Sequence, residues 1–331
     1  MIDINTSAPG KVIIAGEYAV LDGAPAICMA VDRRAHVSIT SSDKDCHSVL
    51  APGFSESAGH FMTNQGRIDW LDGGADFQLV DAVWQELGPG IAENLAIVLD
   101  SNEFMDAGSS TKIGIGSSAA LTVALTAALA LAADDEPSIQ RSAAAAHRRF
   151  QGGVGSGVDI ACSLAGGIVE YRMGDEPDRA LRWPDELHYA LLWSGVAANT
   201  ADKLDQLSNV DACATRAELV TASARVADTW SDGRSEAIID ELRAYTAVLR
   251  RFDIDHELGI FDAGHAALAD QAESSGLVYK PCGAGGGDLG IVVANNAPEV
   301  AAFIETAREQ EFKHLHMAID ATGLQRDGEQ H

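Results

Sequence analysis

The run Lys112-Ile113-Gly114-Ile115-Gly116-Ser117-Ser118-Ala119-Ala120 constrains this chain more than any other stretch. A glycine- and serine-rich turn is followed at once by helix formers, Leu121 through Ala133. That places a tight loop at the N-terminus of an apolar helix. The first turn of a helix carries unpaired N–H groups and a partial positive charge. Gly114 and Gly116 permit close backbone approach and left-handed backbone. Such a loop suits an anion, above all a phosphate. The hydroxyls of Ser117 and Ser118 either cap the helix or reach a metal. The plainer reading is a capped helix after a turn, since Ser is a favoured N-cap. No Gly-Lys-Ser/Thr follows the loop, so a Walker A cradle is excluded.

Two further glycine loops stand on the chain, Gln151–Asp159 and Pro281–Asp288. Each alone reads as a turn. Glycine weakens structure wherever it is not needed, so three such loops point to backbone drawn close to a polyanionic ligand. They are not repeats of one another. Phosphoryl transfer needs a phosphate cradle, a divalent metal, positive charge near the transferred group and a residue that orients the nucleophile. The sequence offers a candidate for each. Asp159, in Gly155-Ser156-Gly157-Val158-Asp159, is the candidate base for an attacking alcohol; a first-turn helix Asp is the plainer alternative. Lys11 follows Pro9-Gly10 and points either into a cleft or into solvent, the default for lysine. Glu17 and Tyr18 follow an apolar strand and Gly16, which favours a constrained site. Arg148 and Arg149 precede the Asp159 loop and are placed to reach an anionic substrate tail, or else to cap a helix end. His147 reads as structural. No spacing suits zinc, and no G-x-S-x-G elbow is present.

The totals narrow the class. The 331 residues leave room for one large domain or two medium ones. The net charge of −26 argues against nucleic acid and anionic membranes as partners. An acidic chain still binds an anion where N–H groups, Lys, Arg or Mg²⁺ gather. No apolar run is long and clean enough for a membrane span, and no signal peptide is evident. The five cysteines, Cys28, Cys46, Cys162, Cys213 and Cys282, are odd in number and scattered. That fits a reducing cytoplasm rather than a disulfide framework.

Along the chain, Ala8-Pro9-Gly10 signals a turn before a short strand, Val12–Gly16. Strands are expected at Ala26–Val31, Ala35–Thr40, Leu95–Leu99, Ile168–Tyr171, Tyr189–Trp193, Leu289–Ala294 and Leu315–Ile319. Helices are expected at Phe77–Leu87, Ser138–Phe150, from Ile160, and at Thr200–Asn209, Glu218–Trp230, Ser235–Phe252, Leu258–Ser274 and Pro298–Glu309. The polar stretch Gly174–Asp185 marks a boundary between residues 1–184 and 185–331.

Taken together and in order, Pro9-Gly10-Lys11 with Ala15-Gly16-Glu17-Tyr18-Ala19-Val20-Leu21, then Gly114-Ile115-Gly116-Ser117-Ser118-Ala119-Ala120, then Gly283-Ala284-Gly285-Gly286-Gly287-Asp288 resemble the GHMP kinase superfamily. Within it the Glu17-Tyr18 pair, Gly155-Ser156-Gly157-Val158-Asp159 and Leu192-Trp193-Ser194-Gly195 are most similar to the phosphomevalonate kinase branch. Mevalonate kinases usually carry His where Tyr18 stands, and Ile115 stands where Leu is commoner. The resemblance implies an α+β, two-domain fold: an N-terminal ATP-binding domain like ribosomal protein S5 domain 2, and a ferredoxin-like C-terminal domain. It implies ATP and Mg²⁺ as cofactors. ATP would lie on Lys112, Gly114, Ile115, Gly116, Ser117, Ser118 and Ala119, with Ser118 a metal ligand. Lys11 and Asp159 would be catalytic. The acceptor would meet Lys11, Glu17, Tyr18, Arg149, Ser156, Gly157 and Asp159, with Gly283, Ala284 and Gly285 closing the site. The expected reaction is ATP-dependent phosphorylation of (R)-5-phosphomevalonate to the diphosphate. Alternatives are mevalonate kinase, another small-molecule kinase of the superfamily, or a non-catalytic nucleotide-binding protein on the same fold. The partner is a small molecule, with a homodimer as the assembly allowed for.

Overall fold

The structure, a computed structural model, describes residues 1–174, 178–198, 203 and 214–326. The expected helix at Thr200–Asn209 lies outside the described residues apart from Lys203, and so does Cys213.

Among the described residues the chain forms two sheets. The larger, of nine strands, is built on β1 (Asp3–Ala15) and β2 (Ala26–Ser41), which pair antiparallel. Both are buried over most of their length, and their apolar runs fill a sheet covered by helices. β3 (His47–Leu50), β4 (Gly59–Asn64), β5 (Arg67–Asp72) and β6 (Leu95–Asp100) extend it in the order β2-β6-β3-β4-β5. β7 (Ile168–Tyr171) pairs with the opening residues of β2, and β8 (Arg179–Leu181) with β7.

Four helices from the same part of the chain accompany this sheet: α1 (Gln78–Leu87), α2 (Ser117–Ala132), α3 (Ile139–Phe150) and α4 (Val158–Ala165). α2 is central, against β1 and β2 and flanked by the other three. It carries no charged residue and is buried nearly all round, as a helix apolar on every face must be. Its buried hydroxyls are satisfied locally: Thr122 donates to Ser118 O and Thr126 to Thr122 O, both at 2.7 Å.

The second sheet is antiparallel, in the order β10 (Val278–Pro281), β11 (Leu289–Ala294), β9 (His188–Trp193), β12 (Lys313–Leu315). α5 (Ala214–Asp232), α6 (Ser235–His256), α7 (His265–Ser274) and α8 (Ala297–Glu309) accompany it. β13 (Gln325–Arg326) returns to the first sheet and pairs with β1. Among the described residues no helix is long and apolar enough to cross a membrane.

Several local expectations change. Ala8-Pro9-Gly10 is not a turn. It lies inside β1, where the register shifts between Pro9 and Gly10. A β-bulge absorbs the proline and bends the strand without ending it. Ala26–Val31 and Ala35–Thr40 are one strand. α2 starts at Ser117, so the serines sit in the first helical turn. α4 starts at Val158, which puts Asp159 on a helix rather than a loop. Residues 258–264 form turns, and the helix expected from Leu258 begins only at His265. The last expected strand is displaced to Lys313–Leu315.

Candidate active site

The bulge in β1 brings its backbone onto the central loop: Lys11 N–H donates to Ile115 O at 2.8 Å. From there the buried Lys11 side chain runs beneath the loop, and its Nζ lies 3.3 Å from Asp159 Oδ1. Burial works against the charged ammonium. The Asp159 carboxylate, with Asp288 behind it, outweighs that penalty, so the Lys11 pKa sits above the ordinary lysine value. Lys11 is therefore a fixed cation over any working pH.

The central loop ends in Gly116, at φ +81, which caps α2 with no side-chain hydrogen bond. Ser117 and Ser118 do not cap the helix, contrary to the plainer sequence reading. The uncapped first turn faces a cavity of about 380 Å³. Two glycines of this loop serve the protein's own side chains. A Cβ on Gly116 would lie 2.8 Å from Lys11 Cε. A Cβ on Gly114, at φ +87, would lie 2.1 Å from Asp288 Cγ. The loop is thus clamped between Lys11 and Asp288. Gly114→Ala should abolish tight nucleotide binding while leaving the rest of the sheet folded. Titration calorimetry with a non-hydrolysable ATP analogue, beside a thermal melt, checks this.

Ser118 Oγ lies 3.1 Å from Nε2 of the buried His147. Burial depresses the His147 pKa, so the ring is neutral. With its proton on Nδ1, the ring accepts from the Ser118 hydroxyl and leaves the oxygen lone pairs facing the cavity. His147 is expected from sequence to be structural; here its ring meets a candidate ligand.

The other wall comes from the glycine-rich turn before α4, with Asp159 in that helix's first turn, and from the third glycine loop. Gly157, at φ +87, caps α4, and Tyr171 donates from its hydroxyl to Ser156 O at 2.5 Å. The third loop is anchored from four sides. Lys203 Nζ donates to the carbonyls of Gly259, Ala284 and Gly285. Tyr18 OH donates to Ala284 O at 2.7 Å. Gly286 N–H donates to Ile260 O, and the His265 ring contacts Gly287 O at 3.0 Å. Burial pushes His265 down to about 4, so that imidazole is neutral too.

Glu17 is committed to the protein itself. Its carboxylate forms a fully buried ion pair with Lys280 and accepts from Tyr245 OH at 2.7 Å. The same hydroxyl accepts from Gly16 N–H at 3.0 Å. This joins the turn after β1 to α6 and β10.

Of the residues singled out from sequence, Lys11, Lys112, Gly114, Ile115, Gly116, Ser117 and Ser118 line one cavity. Glu17, Tyr18, Ser156, Gly157, Asp159, Gly283 and Ala284 line it with them. Ala119 is fully buried behind the loop, and Gly285 packs on Ile260. Arg149 points elsewhere, bonded to Gln85 and Glu86 on α1. Helical geometry is the reason: His147 and Phe150 take the cavity side of α3, and position 149 falls opposite. The sequence reading missed Lys280, Tyr245, His265 and Asp288. Lys280 left a trace as a lysine closing the apolar run Leu277–Lys280, and Asp288 as the residue that ends the third glycine loop. Among the described residues no cluster of three His, Cys, Asp or Glu side chains suits a metal. Any Mg²⁺ here would share its ligands with phosphate oxygens and water, as Mg²⁺ usually does.

Residues 78–167 match the family described as GHMP kinases N terminal domain. Over 96% of this chain and 94% of the relative, the sequence is 32% identical to a phosphomevalonate kinase of Streptomyces sp. (strain CL190). It is 27% identical to a mevalonate kinase of Pyrococcus horikoshii, over 91% of this chain and 92% of that one. The solved Streptococcus pneumoniae phosphomevalonate kinase, in complex with phosphomevalonate and AMPPNP, superposes with a TM-score of 0.79. That match is 19% identical and covers 96% of this chain and all of that one.

Proposed function

The chain belongs to the GHMP kinase family and has its α+β fold, and from that premise we propose that it transfers the γ-phosphoryl group of ATP to (R)-5-phosphomevalonate, giving 5-diphosphomevalonate. The proposed units are 1–184, an ATP-binding domain, and 185–331, a C-terminal domain whose last strand, β13, returns to pair with β1. As a small-molecule kinase of this family it needs a nucleotide cradle and an acceptor site. We assign the cradle to Lys112–Ala119 and the acceptor to the side between Lys11, Ser156 and Asp159.

One observation carries the choice of a phosphorylated acceptor. Asp159 is spoken for by Lys11 at 3.3 Å. An alcohol must lose a proton as it attacks, and the Asp159 oxygen nearest Lys11 already faces its ammonium. A phosphate monoester, with a second pKa of about 6, presents an unprotonated oxygen at pH 7. For such an acceptor Asp159 need only hold Lys11 in place. Lys11 then draws the two anionic groups together and neutralises charge that develops on the transferred phosphoryl. The Glu17-Tyr18 pair and the Streptomyces relative support the same reading.

Mg²⁺ fits the residues present. Ser118 offers a hydroxyl held by the His147 ring, and the cavity wall adds carboxylate. When bound, the ion would offset phosphate charge. A coupled ADP-release assay over phosphomevalonate, mevalonate and sugar alcohols tests the proposal. Turnover is expected with phosphomevalonate. Turnover only with an unphosphorylated acceptor would give the function to mevalonate kinase or another small-molecule kinase. ATP binding with no transfer to any acceptor would make the chain a non-catalytic binding protein.

A further inference from the structure

Three carboxylates line the cavity among the described residues: Glu17, Asp159 and Asp288. Glu17 is neutralised by Lys280, and Asp159 by Lys11. Asp288 forms no ion pair within contact distance of any described residue. Its Oδ1 accepts from Ala198 N–H at 3.1 Å. Its Oδ2 makes no hydrogen bond to a described residue, and it lies where a Cβ on Gly114 would come within 2.4 Å. A bare carboxylate oxygen is therefore pressed against the backbone of the candidate phosphate loop.

The placement is held on purpose by the backbone. Asp288 sits at φ +52, a region that a non-glycine residue seldom occupies. Its N–H donates to Val196 O at 2.6 Å, and its C=O accepts from Ser194 N–H at 3.0 Å. Strain of this kind persists where the surroundings over-determine it, often at functional sites. A carboxylate beside a polyphosphate would repel it unless a cation lay between them. Mg²⁺ is usually held by one or two carboxylates together with substrate phosphates and water.

We propose that Asp288 is a ligand of the divalent cation that accompanies the nucleotide, so that the third glycine loop carries the metal to the first. This rests on reading the cavity as an ATP site. Asp288→Asn removes the charge and keeps the acceptor for Ala198 N–H. Binding of AMPPNP is measured by calorimetry with excess Mg²⁺ and again with EDTA. The wild type is expected to prefer the Mg²⁺ form by about 50-fold, and Asp288→Asn by less than about fivefold, a change within ordinary coupling between ligands. Most of the change should come from tighter binding of metal-free nucleotide as repulsion is lifted. An unchanged preference, in a variant that melts with the wild type, overturns the assignment. Asp288→Cys supplies a second reading. A thiolate ligand favours soft cations, so Cd²⁺ should support AMPPNP binding better than Mg²⁺ in that variant alone. No such switch also overturns it. Failure of AMPPNP to bind the wild type under either condition would instead remove the ATP site itself.

Discussion

Lys11→Met is expected to lower kcat by about 10²–10³-fold, the effect of removing one preorganised charge from a phosphoryl-transfer site. Methionine fills the channel beneath Gly116, so the loop keeps its support while the ammonium is lost. KM for either substrate should change far less, because the charge matters most as negative charge shifts between donor and acceptor. The variant also frees the Asp159 carboxylate, which then faces the acceptor unpaired. Asp159→Asn on the wild-type background should be milder with phosphomevalonate than the 10²-fold or more expected for loss of a general base. The double variant should be little worse than Lys11→Met, since the two residues act as a unit. Steady-state ADP release at pH 7 measures all three. A loss of 10²-fold or more from Asp159→Asn alone would make the carboxylate a proton acceptor. That outcome favours an alcohol as substrate.

The second large effect is on stability. Lys280→Met strands the Glu17 carboxylate, buried with only the Tyr245 hydroxyl and backbone for company. Breaking a buried pair from one side costs about 3–5 kcal/mol. In a chain of this size that should lower Tm by roughly 10 °C. Glu17→Gln with Lys280→Met removes both charges and keeps an acceptor for Tyr245 OH. That double variant should return to within about 2 kcal/mol of the wild type, because a buried pair adds little net stability over neutral groups of similar shape. Equilibrium denaturation in urea reads the whole cycle. Additive losses in the double variant would show that the two residues contribute separately.

Much of the site was legible because glycine and serine leave marks in sequence. Gly114, Gly116, Gly157 and Gly283 all adopt positive φ, and clusters of such residues are visible without coordinates. The apolar run after Ser118 announced the central helix. The reading of these glycines was incomplete, however. Their sequence implies room for a ligand, whereas Gly114 and Gly116 also make way for Asp288 and Lys11. Arg149 misled because adjacent helical residues point about 100° apart. Its neighbour Arg148 is exposed, and its side chain makes no hydrogen bond or ion pair with a described residue. The Pro9-Gly10 turn misled because a bulge can hold both residues inside a continuous strand.

By itself the sequence determined where the three glycine loops fall, which helix is buried, and which residue types stand ready for phosphate chemistry. These follow from local preferences, which depend on neighbours along the chain. The tertiary structure alone decided the pairings: Lys11 with Asp159, Ser118 with His147, Glu17 with Lys280, and Gly114 with Asp288. Glu17 and Lys280 are separated by 263 positions. Charge at such a separation leaves no periodicity to read. Only packing two sheets around the same cavity sets which carboxylate is neutralised and which is left bare.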